Sequence, residues 1–269
     1  MINLIRHVVS NYNEVLNNAK DPMVDTWFLM ESPGPILCII SAYLIFVLKI
    51  GPKMMKNRPA FQLNTVMIAY NAFQVLFNIW VITLILELDF KYLFFIHGFN
   101  NQNSISSNQQ LARHIKIMSR GSWWYFVTKV VELLDTVFFV LRRKQNQVTF
   151  LHVYHHTLTT LLSWCYLKYL PSVQGVMIAL LNSIVHVIMY SYYLIAALGP
   201  NYKKYIWWKK YLTWIQLLQF SLILVYLSLT LIMDCRIPKA PSYLFGVIYI
   251  IFIYLFGNFY RQAYKKKVT

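Results

Sequence analysis

The stretch Val173–Leu198, VQGVMIALLNSIVHVIMYSYYLIAAL, decides the fold class. It holds no charged residue and is longer than the ~20 residues an α-helix needs to cross ~30 Å of hydrocarbon. Similar runs flank it on both sides, at 32–50, 63–86, 123–141, 148–167, 207–233 and 243–260. The chain has 269 residues, of which 58% are hydrophobic, 17% aromatic and only 13% charged. Soluble domains carry about 25% charged residues, so the expectation is an all-α membrane protein with seven transmembrane helices. The first run is the weakest, with Pro33 and Pro35 at its entrance. If it only dips into the interface, six spans remain. Residues 1–35 read as an N-terminal tail without the apolar core of a signal peptide. Residues 36–262 read as the membrane domain that carries the site, and 263–269 as a basic tail. GFNNQNSISSNQQ at 98–110 reads as the one long polar loop.

The formal net charge is +16, and its distribution argues for a membrane surface rather than nucleic acid. On a seven-span layout fifteen cations fall on one side, in 49–58, 142–144, 203–210 and 261–267. All nine acidic residues fall on the other side or inside the third span. The positive-inside bias then sets the C-terminus in the cytosol and the N-terminus in the lumen. The cationic face would attract anionic headgroups or a polyanionic substrate such as a coenzyme A thioester. Lys266 and Lys267 in the terminal KKVT match a dilysine retrieval signal, which points to the endoplasmic reticulum membrane.

Polar residues recur at helical spacing inside four spans. Lys129, Glu132, Asp135 and Thr136 share one face of the third, and His152, His155 and His156 one side of the fourth. Asn182, His186, Met189, Tyr190 and Tyr193 line the fifth, and Thr213, Gln216 and Gln219 the sixth. Ionisable groups are costly in a bilayer, so such faces point into the bundle and mark a candidate site. At ~1.5 Å per residue, the three box histidines lie roughly 6–12 Å below the cytosolic end of their span, and His186 roughly 18 Å. Leu, Ile, Trp and Phe continue below them, which suits a charged head at the mouth and an apolar tail beneath.

H-x-x-H-H also occurs in membrane di-iron oxidoreductases, which need about eight histidines in several boxes to fill two coordination spheres of imidazole type. This chain has seven, and His7, His97 and His114 fall on the opposite side. A single zinc on His152, His155, His156 and a carboxylate stays open as an alternative. A non-enzymatic transporter or receptor stays open too, although its polar path should reach both faces. Acyl transfer fits the residues better. Cys165 lies roughly 13–20 Å from the histidines on the same helix, and Cys38 and Cys235 lie on the first span and a far loop, which leaves imidazole as the nucleophile.

Four blocks, KVVELLDT (Lys129–Thr136), LRRKQNQVTFLHVYHH (Leu141–His156), NSIVHVIMYSYY (Asn182–Tyr193) and TWIQLLQ (Thr213–Gln219), together resemble the very-long-chain fatty acid elongases, the ELO family, in its animal form. The resemblance covers roughly residues 30–265. It implies a 3-ketoacyl-CoA synthase that condenses a long-chain acyl-CoA with malonyl-CoA, releasing CO2 and CoA. It also implies that spans two to seven form a barrel around a narrow acyl tunnel, with the first span outside. The resemblance makes His155 the nucleophile that becomes an acyl-imidazole. His186 and Asn182 would then position malonyl, and His152 and His156 would orient the nucleophile. Lys129, Glu132, Asp135, Thr136, Tyr190, Gln216 and Gln219 form the supporting network. Arg142, Arg143, Lys144, Lys203, Lys204, Lys209 and Lys210 would receive the CoA phosphates. No metal and no cofactor are expected. The expected partners are acyl-CoA, malonyl-CoA and membrane lipid, with other elongation-cycle enzymes as neighbours and a homo-oligomer left open. The family's loop cysteine between spans two and three is missing, which puts a disulfide at Cys235 in doubt.

Overall fold

The computed structural model describes residues 23–88, 105–169, 173–232 and 239–265, and every regular element among them is helical. The long helices are α1 (Pro33–Met55), α2 (Asn64–Leu86), α3 (Ile105–Leu141), α4 (Phe150–Tyr169), α5 (Val173–Ala197), α6 (Lys209–Ile232) and α7 (Lys239–Tyr260). Prolines open α1, where the first turn has no intrahelical use for their missing N–H. Gly199, at φ +112°, supplies the backbone reversal after α5, and a short 3-10 helix at Pro200–Ile206 leads into α6.

Among the described residues, five segments are long and apolar enough to cross a membrane: Pro33–Met55, Asn64–Leu86, Gln174–Ala197, Lys204–Ile232 and Pro241–Tyr264. The chain is thus a multi-pass membrane protein. α3 and α4 do not reach that hydropathy because they carry Lys129, Glu132, Asp135 and the three box histidines. α3 is also longer than its sequence pattern suggested. The polar stretch 98–110, expected to be a loop, is already helical from Ile105, and the rest of it lies outside the described residues. The 37 residues of α3 cover roughly 55 Å, well beyond one bilayer core.

The bundle is apolar on the outside. Leu218, Leu222, Val225, Leu229 and Ile232 of α6 are all exposed, and they recur on one helical face. Inside, α2 packs closely on α5, α5 on α6, α6 on α7, α7 on α4, α4 on α3 and α3 on α2. α1 stands beside α3 and α4. The Tyr43 hydroxyl meets Thr136 Oγ1 at 2.8 Å, and Gly51 lets the helix approach Val140, where an added Cβ would come within 2.6 Å.

The segment before α1 is docked rather than trailing. Trp123 Nε1 donates to Phe28 O (3.2 Å) and Trp164 Nε1 to Leu29 O (2.7 Å), which holds Leu29 in left-handed backbone at φ +65°. Lys168, buried at the end of α4, donates to Asp25 Oδ1 (2.7 Å), Met30 O (2.6 Å) and Glu31 O (3.0 Å). Residues 1–22, 233–238 with Cys235, and 266–269 with the dilysine pair lie outside the described residues.

Removing one ammonium therefore takes a donor from three acceptors at once. Lys168→Met is expected to cost about 1–3 kcal/mol. The checks are a lowered thermal midpoint in detergent and faster proteolysis between residues 23 and 31.

Candidate active site

Lys129 lies on a buried face of α3, between its midpoint and its C-terminal end, and is 1% exposed. A lone ammonium there would be untenable in hydrocarbon, and the sequence answers with Glu132 one turn on, where i and i+3 share a face. Lys129 Nζ donates to both Glu132 oxygens, at 2.7 and 2.8 Å. It also donates to Asn182 Oδ1 of α5 at 2.7 Å. Tyr125 OH, a turn before Lys129, donates to the same Asn182 oxygen at 3.1 Å. His186, one turn after Asn182 on α5, has Nδ1 at 2.8 Å from Glu132 Oε1 and at 3.3 Å from Lys129 Nζ. Lysine can only donate, so the shorter contact assigns the proton: Nδ1–H donates to Glu132, and Nε2 keeps its lone pair. The charges neutralise one another, and every strong donor around Glu132 is used.

Toward the cationic end, the network continues through a second carboxylate. Tyr190 OH donates to Asp135 Oδ2 at 2.7 Å. The ring of Tyr190 lies edge-on to Tyr70 of α2, 6.2 Å between centroids, and to His186, 5.7 Å. Thr136, on the far side of Asp135, bonds Tyr43 of α1. Of the supporting residues expected on α3 and α5, Lys129 and Glu132 bond with Asn182 and His186, Asp135 and Tyr190 form a second pair that touches the first through the His186 and Tyr190 rings, and Thr136 turns to α1.

The box histidines sit on α4, facing this network. The rings of His152 and His156 are 4.3 Å apart between centroids, and His156 meets His155 edge-on at 5.4 Å. His152 lies 5.1 Å from Phe139 of α3. His155 lies against α7, with Phe252 at 5.2 Å and Phe256 at 5.8 Å. His152 Nε2 and His156 Nδ1 have no hydrogen-bond partner among the described residues. Thr160, one turn after His156 on α4, donates to Lys129 O at 3.1 Å, which brings the histidine helix against the network on α3. Beneath it a narrow cavity of about 50 Å3 runs past Tyr125, Thr159, Leu162, Tyr166, Ile178 and Phe245.

The remaining expected residues are less central. Gln216 Nε2 makes only a long contact to Met189 Sδ, 3.7 Å, and Gln219 is buried with Nε2 unpartnered among the described residues. The cations stay at the end of the bundle. Arg143 Nη1 donates to Arg58 O at 3.2 Å, and Lys204 and Lys210 lie over the rings of Tyr205 and Tyr211, 4.9 Å each. Lys144 and Lys209 are exposed, Arg142 is half-buried, and the side chain of Lys203 lies outside the described residues. As for a metal, no three His, Cys, Asp or Glu side chains among the described residues converge in a binding arrangement. Glu132, the carboxylate nearest the histidines in this network, has both oxygens taken by Lys129.

Sequence reasoning missed a fifth polar face. Asn71, Gln74 and Asn78 of α2 are all buried to within 1%, and Gln74 Nε2 donates to Tyr70 OH at 3.0 Å. Their i, i+3, i+7 spacing is the criterion that picked out the other four faces, so the signal was present. Tyr125 and Tyr43 carried no such signal, because a tyrosine in an apolar run looks like core.

Residues 28–269 match the family model described as ELO, the GNS1/SUR4 family. The chain is 43% identical to human "Very long chain fatty acid elongase 4" over 251 residues, 93% of this chain and 77% of that protein. It is 40% identical to rat "Very long chain fatty acid elongase 7", over 98% of this chain and 92% of the relative. With mouse "Very long chain fatty acid elongase 1" it shares 36% identity, over 96% and 91%.

The ion pair at the centre yields a prediction independent of activity. Lys129→Met strands a buried carboxylate and Glu132→Gln a buried ammonium, each at a cost of about 3–5 kcal/mol. The double substitution removes both charges and should fall short of the summed cost by about 2 kcal/mol. Thermal unfolding of the four proteins in detergent measures that coupling.

Proposed function

The chain belongs to the ELO (GNS1/SUR4) family, and on that premise we propose that it is a very-long-chain 3-ketoacyl-CoA synthase, an acyltransferase of the endoplasmic reticulum membrane. It condenses a long-chain acyl-CoA with malonyl-CoA in the first step of fatty acid elongation. The observation that carries the reading is the position of His155. Its ring packs on Phe252, which lines the narrow cavity, and on Phe256, while the neighbouring helices α3 and α5 hold the Lys129–Glu132–Asn182–His186 network.

In the first half-reaction an imidazole nitrogen of His155 attacks the thioester carbonyl. The C–S bond breaks, and the ring proton leaves with the CoA thiolate as free thiol. The product is an acyl-imidazole, a reactive acyl donor held away from water. Malonyl-CoA then loses CO2, and the electron pair of that C–C bond becomes a thioester enolate. The enolate attacks the acyl carbon, the C–N bond breaks, and His155 recovers one proton. The balance is one proton consumed and CO2, CoA and 3-ketoacyl-CoA released, with no cofactor drawn in. With its oxygen taken by Lys129 and Tyr125, Asn182 is suited to donate its amide N–H to the malonyl carboxylate and the enolate, and His186, fixed by Glu132, would position malonyl with Nε2 as a proton acceptor. His152 and His156 crowd the nucleophile and set its ring. Asp135, Thr136, Tyr190, Gln216 and Gln219 act at one remove, as positioning residues.

Several features support the surrounding architecture. The contacts among α2 to α7 close a cycle through α7 and α4, with α3 also packed on α5 and α1 beside the cycle, an arrangement that suits a six-helix barrel around the acyl chain. α3 and α4 would cross with the other five, since their polar faces are turned inward, and that makes seven spans with the N-terminus luminal. Arg142, Arg143, Lys144 and the lysines of 203–210 stand at the mouth, where CoA phosphates would lie.

Two measurements test the reading. Microsomes bearing the protein, given acyl-CoA and labelled malonyl-CoA, should form labelled 3-ketoacyl product, and His155→Ala should lower it by at least about a thousandfold, as for loss of a covalent nucleophile. Purified protein given acyl-CoA alone should gain one acyl mass and release CoA. Acylation that persists in His155→Ala moves the nucleophile elsewhere, and no labelled product at any chain length removes the synthase reading.

A further inference from the structure

A larger cavity lies outside the polar interior. It is a groove of about 440 Å3 where α1 passes α4, with Leu44 and Leu48 on one wall and Phe150, Val153, Tyr154 and Thr157 on the other. Its volume falls within the ~300–1,000 Å3 of ordinary ligand pockets. Leu48 and Phe150 at its rim are 57% and 72% exposed, so it opens sideways, toward lipid in a membrane-spanning chain.

The groove follows from how α1 is held. Near its start, Ile36 and Ile40 pack into a cluster with Trp164 and Leu167 of α4. Farther along, Val47 and Met55 pack with Leu133 and Val140 of α3, and of the α4 residues only Val153 joins that cluster. α1 therefore drifts from α4 toward α3, and the wedge between α1 and α4 is left open. A single π-helical turn, Phe46–Ile50, interrupts α1 at this level, and Leu48 belongs to it. Such one-turn insertions recur at functional sites.

Charge is distributed unevenly around the groove. Lys49 and Lys53 of α1 are exposed beside and beyond Leu48, and Lys144 is exposed four residues before Val148, which also lines the groove. No acidic residue occurs between positions 32 and 86 or between 136 and 233, so neither wall brings a carboxylate of its own to that end. Basic residues just beyond a span attract anionic headgroups.

We propose that this groove binds one anionic glycerophospholipid, an acyl chain lying between Leu48 and Val153 and the headgroup phosphate on Lys49, Lys53 and Lys144. The lipid completes the packing that α1 leaves open, and it does so on α4, the helix whose other side carries His152, His155 and His156. It is a fixed part of the membrane domain that steadies the histidine helix from behind. An acyl-CoA shares the same chemistry of one chain and phosphate, so the test separates the two sources.

Full-length protein is reconstituted in nanodiscs of phosphatidylcholine with one-tenth phosphatidylinositol, re-extracted, and weighed intact by native mass spectrometry. The expected result is one retained phosphatidylinositol per chain, kept in Leu48→Ala and lost in Leu48→Trp, whose indole fills the groove from an exposed position. Lys49→Gln with Lys53→Gln should lower the preference for phosphatidylinositol over phosphatidylcholine by about fivefold per lysine. Undiminished retention in Leu48→Trp overturns the proposal, as does a preference indifferent to both lysines. One-for-one displacement of the retained lipid by palmitoyl-CoA assigns the groove to acyl-CoA and overturns it too. Mass is the readout throughout, so the outcome is independent of the synthase reading.

Discussion

An ammonium and a carboxylate cannot be left apart in hydrocarbon, and the pairing of Lys129 with Glu132 governs much of what surrounds it. Two charges removed from water are stabilised only by close geometry and by further hydrogen bonds to their remaining atoms. One helix cannot supply those. Asn182 and His186 must come from α5, and that requirement fixes α3 against α5 at one register. Tyr125 and Tyr190 tie the same two helices a turn on either side, the first to Asn182 and the second to Asp135. A helix pair so bound has little freedom to slide. The polar interior is thus the main source of specificity in a bundle whose outer faces are uniformly apolar and would pack in many ways.

Much of this was legible in the sequence because periodicity survives in a membrane. The segments at 64–86, 150–169 and 173–197 lie within a few residues of where apolar runs put them, and on α5 Asn182, His186, Met189 and Tyr190 are buried as expected while Tyr193 is 39% exposed. The misses have separate physical causes. Asn71, Gln74 and Asn78 passed unnoticed because amides carry no charge and α2 remains apolar on average, although their spacing marks a face. The helical start of α3 at Ile105 was hidden by Asn, Gln and Ser, residues that suit caps and loops as well as a solvated helix end. The anchoring of residues 25–31 depends on Lys168, Trp123 and Trp164, which are remote in sequence and individually unremarkable.

The candidate site divides its labour by helix. α4 supplies rings packed on other rings: His152 on Phe139 and His156, His155 on Phe252 and Phe256. α3 and α5 supply groups whose every strong hydrogen bond is spoken for. The box imidazoles are oriented by aromatic neighbours rather than by charged partners. Imidazole bonded to Glu132 is held in one tautomer with its second nitrogen turned outward. The same side chain is thereby suited to different tasks at His155 and His186, and the difference comes from neighbours rather than from the motif.

The same reasoning explains why H-x-x-H-H alone is a weak guide and why it becomes a strong one in this setting. A metal centre needs several lone pairs aimed at one point, with carboxylates free to join them. The carboxylates near these histidines are engaged elsewhere: Glu132 with Lys129 and His186, and Asp135 with Tyr190. Freeing Glu132 for a cation would leave Lys129 buried without its counter-charge, a cost a single ligand bond would have to exceed. The lysine inside the third span, easily read as mere structural support, therefore commits Glu132 to pairing within the α3–α5 network.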